Sequence, residues 1–314
     1  MTKMPEMLFI VGAGRSGTNL LSRMLEHAGG FSDLSENRYI WNYQQRHRAT
    51  DRRLPAEASD AVSAYIHRHF AKMSETHAGI LIDKTPGNAL RLNFVTQIFP
   101  EAKIVNIVRD GRANVLSRSA LWDEEGLLND GNRPGMLTRY IRRIRRMRGL
   151  GNLPNDRIPA FLADNLPALA SRIFLGRMTL SGERVAGLRE IEQRHGARIA
   201  RAVQWREVAT FAAIEGRALG PDRYHEVRFE TLLRNPRKTA EELFDFLGHD
   251  GGDRSATWLE DKLDPGRLDN WKQRDPAEIA EIEPYLAPAL AYFDYEMAPR
   301  TVPDSVTAHT QKYT

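Results

Sequence analysis

Residues Gly12-Ala13-Gly14-Arg15-Ser16-Gly17-Thr18-Asn19 follow a continuous apolar run, Met7 to Val11, and lead into Thr18 to His27, where Leu21, Met24 and Leu25 recur at helical spacing. A buried strand, a glycine turn and a helix in immediate succession bring unpaired amide hydrogens and the positive helix end to one point. Such a point binds phosphate or sulfate. The glycines let backbone approach the anion closely, and Arg15 and Ser16 add charge-assisted and neutral donors.

The same alternation continues along the chain. Ile80 to Ile82, ending at Asp83, and Ile104 to Val108, ending at Arg109, read as buried parallel strands, and Tyr224 to Phe229 as a fourth. Helical spacing is expected over Ala56 to His77, Ala89 to Phe99, Arg112 to Trp122, Ile191 to Arg217 and Thr239 to Leu247. Strands alternating with helices predict an α/β fold, a mostly parallel sheet covered by helices on both faces. Residues 1–300 are expected to form one domain, with an acceptor-side insertion at about 123–200. The stretch from 123 to 190 reads as less regular, with turn signals at Asn129-Asp130-Gly131-Asn132 and Asn155-Asp156. Residues 301–314 are polar and read as a loose tail.

The chain has no cysteine, which excludes thiolate nucleophiles, disulfides and sulfur-ligated zinc. No window approaches the roughly 18 apolar residues of a membrane span, and the amino terminus runs into a strand rather than a secretory segment, so a cytoplasmic protein is expected. Arg139, Arg142, Arg143, Arg145, Arg146 and Arg148 outweigh the whole net charge of +4, leaving the rest of the chain net acidic. A nucleic-acid binder would spread its basic residues more widely, so no nucleic-acid partner is expected.

Three chemistries fit the glycine loop. Gly12 and Gly17 have the spacing of G-x-x-x-x-G-K-[ST], but Thr18 stands where the phosphate lysine belongs and Asn19 where the magnesium hydroxyl belongs. Gly12-x-Gly14-x-x-Gly17 also satisfies the dinucleotide pattern, with Glu36 about twenty residues on, yet Gly29 to Ser35 reads as a poor second strand. The third is sulfate chemistry. Gly14-Arg15-Ser16-Gly17-Thr18-Asn19-Leu20-Leu21 resembles the 5′-phosphosulfate loop, R-S-G-T-T-L, of the sulfotransferases that use 3′-phosphoadenosine 5′-phosphosulfate (PAPS).

Downstream segments carry the same resemblance in the same order. Arg109-Asp110-Gly111-Arg112-Ala113-Asn114-Val115-Leu116-Ser117 is similar to the family's 3′-phosphate motif, which implies that Arg109 and Ser117 hold that phosphate. Asp83-Lys84-Thr85-Pro86 resembles the N-K-D-P segment of the protein-tyrosine sulfotransferases, which implies that Lys84 neutralises the leaving oxygen. Glu36 and Arg38 resemble that group's E-T-R, implying Glu36 as the base and Arg38 as an acceptor-side residue. Tyr224 to Pro236 resembles the family's Y-E-D-L-x-x-x-P segment with Phe229 in place of tyrosine, so a contact from that hydroxyl is lost. Gly266 to Lys272 resembles the G-x-W-K closing region, with Arg267 as a nucleotide contact.

The expectation is therefore an enzyme with a P-loop-like fold that moves a sulfuryl group from PAPS to a hydroxyl acceptor, releasing 3′-phosphoadenosine 5′-phosphate (PAP) without a metal. Gly14, Arg15, Ser16, Gly17, Thr18 and Asn19 grip the donor, and Arg15, Lys84 and Glu36 serve the transfer. A kinase-like phosphotransferase and a non-catalytic anion- or glycan-binding module are the rivals. Leu137, Tyr140, Ile141, Ile144 and Met147 recur at helical spacing and leave the arginines on the opposite side, a cationic face over a packed stripe or an attractor for an anionic acceptor or lipid surface.

Overall fold

Five short strands run in one direction through the molecule: β1 (Met7–Val11), β2 (Phe31–Asp33), β3 (Ile80–Asp83), β4 (Lys103–Val108) and β5 (Tyr224–Arg228). They form a single parallel sheet in the order β2-β3-β1-β4-β5, with Phe9 opposite Asp83 on one side and Ile104 on the other. The computed structural model describes residues 4–45, 49–127, 136–175, 182–263, 268 and 270–297. The tail at 301–314 and the turn signal at 129–132 lie outside the described residues.

Parallel strands need long crossovers, and helices supply them. In chain order they are α1 (Thr18–Ala28), α2 (Arg38–Trp41), α3 (Asp60–Ser74), α4 (Leu92–Ile98), α5 (Gly111–Leu127), α6 (Met136–Gly149) and α7 (Ile158–Leu175). There follow α8 (Leu188–His195), α9 (Ala197–Arg217), α10 (Phe229–Arg234), α11 (Pro236–Leu247), α12 (Gly252–Lys262) and α13 (Pro276–Tyr292). Side chains alternate across β1, so Met7, Phe9 and Val11 enter a core made with α3, α4, α9 and α13, while Leu8 and Ile10 enter a second core with α1, α11 and α12. Both faces are buried, which is why β1 reads as an unbroken apolar run.

Three local expectations are corrected. Residues Phe31–Asp33 do form a strand, a three-residue edge paired, among the described residues, with β3 alone. Its sequence hides it because a short edge strand needs little β-propensity when Phe31 is anchored against Phe244 and His249. The helix expected over Ile191 to Arg217 is two helices, parted at Gly196, whose φ of 88° lies in the left-handed region. The insertion, expected to be irregular, is largely helical where it is described, through α6 and α7.

Strand order also separates two readings of the glycine turn. In the dinucleotide-binding fold the strand after the first helix lies beside the first strand. Here β3 takes that place and β2 is displaced to the edge.

Two buried carboxylates brace the structure near the end of β3. Asp83 is fully buried and accepts from Asn37 Nδ2, Trp41 Nε1, Thr85 N, Thr85 Oγ1 and Asn88 Nδ2 at 2.9–3.2 Å. Burial pushes its carboxyl above the usual range despite those bonds. Asp51 accepts from Arg38 Nη2 at 3.0 Å and from Arg184 Nε at 2.8 Å, tying α2 to the far end of the insertion. Burial alone would raise its carboxyl, but Arg38 and Arg184 outweigh it and hold the group at about 2, against an ordinary 3.8.

A folded value below the unfolded one means that the Asp51 contribution is complete above about pH 4 and fades as acid approaches pH 2. Asp51→Asn should therefore cost about 2 kcal/mol at neutral pH and flatten the acid limb of stability. Urea midpoints measured from pH 7 downward check this. Parallel acid limbs in the two proteins would contradict it.

Candidate active site

Because every strand points the same way, each strand-to-helix turn opens on one edge of the sheet. Read across that edge, the turns carry Ser35 and Glu36 after β2, Lys84 after β3, the glycine loop after β1, Arg109 after β4 and Phe229 after β5. The carboxyl edge of a parallel sheet is where ligands of this architecture bind.

The loop itself is shaped by close approach. A Cβ on Gly12 would meet the Ile107 carbonyl oxygen at 2.4 Å, and one on Gly17 would meet the Phe229 ring at 2.8 Å. Both have positive φ, 145° and 109°. Gly17 begins α1 without a side-chain cap, and the first turn holds no acid. The amides of Thr18 and Asn19 thus lack intrahelical acceptors at the positive end of the helix. Arg15 is exposed and adopts φ 74°, a left-handed conformation that costs a non-glycine residue about 1 kcal/mol or more. Ser16 is buried, its Oγ accepting from Asn114 Nδ2 at 3.1 Å.

Arg109 lies directly beside this loop. Its Nη1 donates to the Arg15 carbonyl at 3.2 Å, and its guanidinium stands 4.6 Å above the Phe229 ring. Burial lowers the proton affinity of this guanidinium, with Glu230 acting in the opposite sense. A surface pair with Asp110 does not form, because Asp110 is held by Arg112 through contacts of 2.8 and 3.1 Å. Ser117 is half-buried on α5, two turns after Arg109, and its hydroxyl makes no hydrogen bond with a described residue. Trp271 stacks over the Arg112 guanidinium at 4.3 Å, which returns the closing segment to the start of α5. Arg267 lies outside the described residues.

The other half of the edge is built around Asp33. Its carboxylate accepts from Ser35 N at 2.7 Å and from Lys84 Nζ at 2.5 Å, so the lysine pairs with Asp33 and not with its neighbour Asp83. Lys84 N donates to the Ser35 carbonyl at 3.2 Å, which locks the two turns together. Ser35 has φ 63°, and α2 begins beyond it with Asn37 as the residue before its first turn, so Ser35 caps no helix. Glu36 is exposed at the crest of this turn. Arg38 turns away from the crest, its guanidinium bound to Asp51 and to the Gly182 carbonyl. Burial would lower its proton affinity, but Asp51 outweighs that and raises it.

Helix α6 docks against the Glu36 turn. Ile144 and Met147 pack on Tyr39, Leu153 and Phe161, and Asn152 Nδ2, just past the helix, donates to the carbonyls of Leu34 and Glu36 at 2.9 and 3.1 Å. Arg142, Arg145, Arg146 and Arg148 are exposed, whereas the side chains of Leu137, Arg139, Tyr140 and Arg143 lie outside the described residues. Ile141, expected in the packed stripe, is instead 41% exposed.

Three polar residues that contact the loop, and a fourth that holds two of them, were not singled out from sequence. Asn114 Nδ2 and Arg118 Nε donate to the Gly14 carbonyl at 2.9 and 3.1 Å, and Glu183 Oε1 accepts from Gly14 N at 2.5 Å. Gln204 receives Arg118 Nη1 and donates to the Glu183 carbonyl. The i, i+4 spacing of Asn114 and Arg118 is a usable signal for a shared helix face. Glu183 carries none, being 169 residues from its partner.

Comparison with known proteins places the chain in a family. In Danio rerio, protein-tyrosine sulfotransferase 1 is 32% identical over 123 residues, covering 35% of this chain and 34% of the relative. A Caenorhabditis briggsae relative named for protein-tyrosine sulfotransferase activity is 25% identical over 185 residues, 57% of this chain and 61% of its own. The chain therefore spans between a third and three fifths of the length of these curated relatives. The crystal structure of a Mycobacterium avium sulfotransferase superposes with a TM-score of 0.53 at 14% identity, covering 95% of this chain and 79% of that one, a likeness of fold. The sequence profile of the sulfotransferase family matches residues 5–159 and 169–253, more than half of the chain and all five turns of the sheet edge, and the protein belongs to that family.

Proposed function

We propose that the protein transfers a sulfuryl group from PAPS to a hydroxyl-bearing acceptor, and that the five turns of the sheet edge divide the work. The observation that carries this reading is the 3.2 Å contact between Arg109 Nη1 and the Arg15 carbonyl. It brings two family motifs, separated by more than ninety residues of chain, to one crevice. PAPS would supply an activated sulfuryl group and a nucleotide handle ending in a 3′-phosphate.

The residues present fit that ligand. The uncapped, acid-free start of α1 offers the amides of Thr18 and Asn19 to the 5′-phosphosulfate, with Gly17 letting the turn pack closely on Phe229 and Ile107. Arg15 and Ser16 flank the same point. Arg109 and the Ser117 hydroxyl point to the 3′-phosphate role, a planar fork supported by a neutral donor. The Phe229 ring beneath Arg109 holds the guanidinium in place where a tyrosine hydroxyl would have offered a contact.

In an in-line transfer, the acceptor oxygen forms a bond to sulfur as the bond from sulfur to the bridging oxygen breaks. Glu36, at the exposed crest of its turn, receives the acceptor proton. Lys84 and Arg15 neutralise the charge that develops on the departing oxygen, and Asp33 holds Lys84 in position for this. Arg38, bound to Asp51, braces the Glu36 turn from below and is not free to reach far toward an acceptor.

The exposed arginines of α6 favour an acceptor that carries negative charge, because the helix is docked on the Glu36 turn. The tyrosine hydroxyl named for two relatives is one chemistry that suits this reading. No helix of the described residues is long and apolar enough to cross a membrane.

Calorimetric titration with PAP tests the donor site. Binding should be tight and indifferent to magnesium, and Arg109→Ala should weaken it about ten- to a hundred-fold, equivalent to losing one ionic hydrogen bond of about 1.5–3 kcal/mol. Tight magnesium-dependent binding of ATP in place of PAP would overturn the assignment in favour of phosphoryl transfer. Glu36→Gln should lower the turnover number by about a hundred-fold or more while PAP affinity stays within about twofold. Replacing Arg142, Arg145 and Arg146 together by Glu should raise KM for an acidic acceptor, and added salt should do the same to the wild type. An equal effect on a neutral acceptor would show that the arginine face has no part in acceptor choice.

A further inference from the structure

Gly14 has both of its backbone polar groups committed before any ligand is considered. Its N–H donates to Glu183 Oε1 at 2.5 Å, and its carbonyl accepts from Arg118 Nε at 3.1 Å. Arg118 Nη2 in turn reaches Glu183 Oε2 at 2.8 Å, so the three residues close a ring of hydrogen bonds. The ring is sealed from water: Glu183 is 2% exposed and Arg118 7%. Gln204 completes it by accepting from Arg118 Nη1 and donating to the Glu183 carbonyl at 2.6 Å.

Glu183 does not stand alone on its segment. The neighbouring Gly182 carbonyl accepts from Arg38, and Arg184 donates from Nε and from its amide to Asp51 at 2.8 and 2.9 Å. Three consecutive residues are thus tied to the Glu36–Arg38 turn on one side and to the glycine loop on the other. An anchoring role for the insertion would need only the Arg118 pair. The contact to Gly14 N–H goes further, because it immobilises the residue immediately before Arg15, whose left-handed backbone must be held against its own preference.

Resting on the sulfotransferase reading above, we propose that Glu183 is a positioning residue for the donor loop: through Arg118 and Gly14 it presets the turn so that Arg15 and the amides beyond it face the crevice before the nucleotide arrives. The loop is then rigid in the free protein, and donor binding avoids the entropy of ordering it. The same ring favours glycine at position 14, since a Cβ there, 2.5 Å from Arg118 Nη2, would push the guanidinium out of place.

Glu183→Gln preserves shape but turns an amide donor toward the Arg118 guanidinium, breaking the ring with little change in volume. Calorimetry with PAP on the full chain should show about tenfold weaker binding in Glu183→Gln, with the acceptor KM within about twofold of wild type. Gly14→Ala should show the same donor defect, and the double variant should be no worse than the more severe single one, since both break one ring. Hydrogen exchange on the wild type supplies a test that needs no substitution: peptides covering residues 12–17 should be protected before PAP is added. Wild type that fails to bind PAP at all would sink the sulfotransferase reading itself. Wild type that binds PAP, but whose loop exchanges freely until PAP arrives, or a folded Glu183→Gln with unchanged PAP affinity, would overturn the preset loop alone.

Discussion

Parallel pairing is the constraint from which the rest of the molecule follows. A strand that runs alongside β1 in the same direction must return through a crossover, and each crossover leaves a turn on the same edge of the sheet. Five such turns lie in a row, and residues of the family's motifs are distributed among them. The two halves of the edge have different builds. The β2 and β3 turns are stitched by Asp33 and Lys84, whereas the β1 and β4 turns meet through a backbone carbonyl and an arginine.

Buried charge holds this edge to the insertion. Asp51 and Glu183 are acids removed from water, and each is matched by arginine and backbone donors. Such pairs contribute little net stability compared with apolar packing, but removing one partner leaves a costly bare charge. Their effect is geometric. They tie the segment at 182–184 both to the Glu36 turn and to the glycine loop.

The sheet was legible in the sequence to the extent that its strands are buried on both faces. Met7–Val11 is an unbroken apolar run for that reason, Ile104–Val108 is interrupted only by Asn106, and the glycines at 12 and 17 mark turns where a side chain has no space. Phe31–Asp33 was not legible, because an edge strand is specified by its neighbour and not by its own residues. The motif residues Arg15, Glu36, Lys84 and Arg109 fall along one edge because each lies in the turn that follows a strand, whereas Ser117 sits within the helix after β4. What short-range pattern could not supply was partnership. That Lys84 pairs with Asp33, that Arg38 is committed to Asp51, and that Glu183 reaches Gly14 are consequences of chain crossings with separations of 51, 13 and 169 residues.

The brevity of β2 has a consequence beyond the crevice. An open sheet has two borders where unpaired amides and carbonyls could recruit a strand from a second molecule. Gly29 and Gly30, both at positive φ, precede β2, and Ser35 bends the chain away shortly after it. Three residues of straight backbone between two such bends give an incoming chain too short a template to grip. On that side, brevity and curvature limit the edge as a template for a further strand.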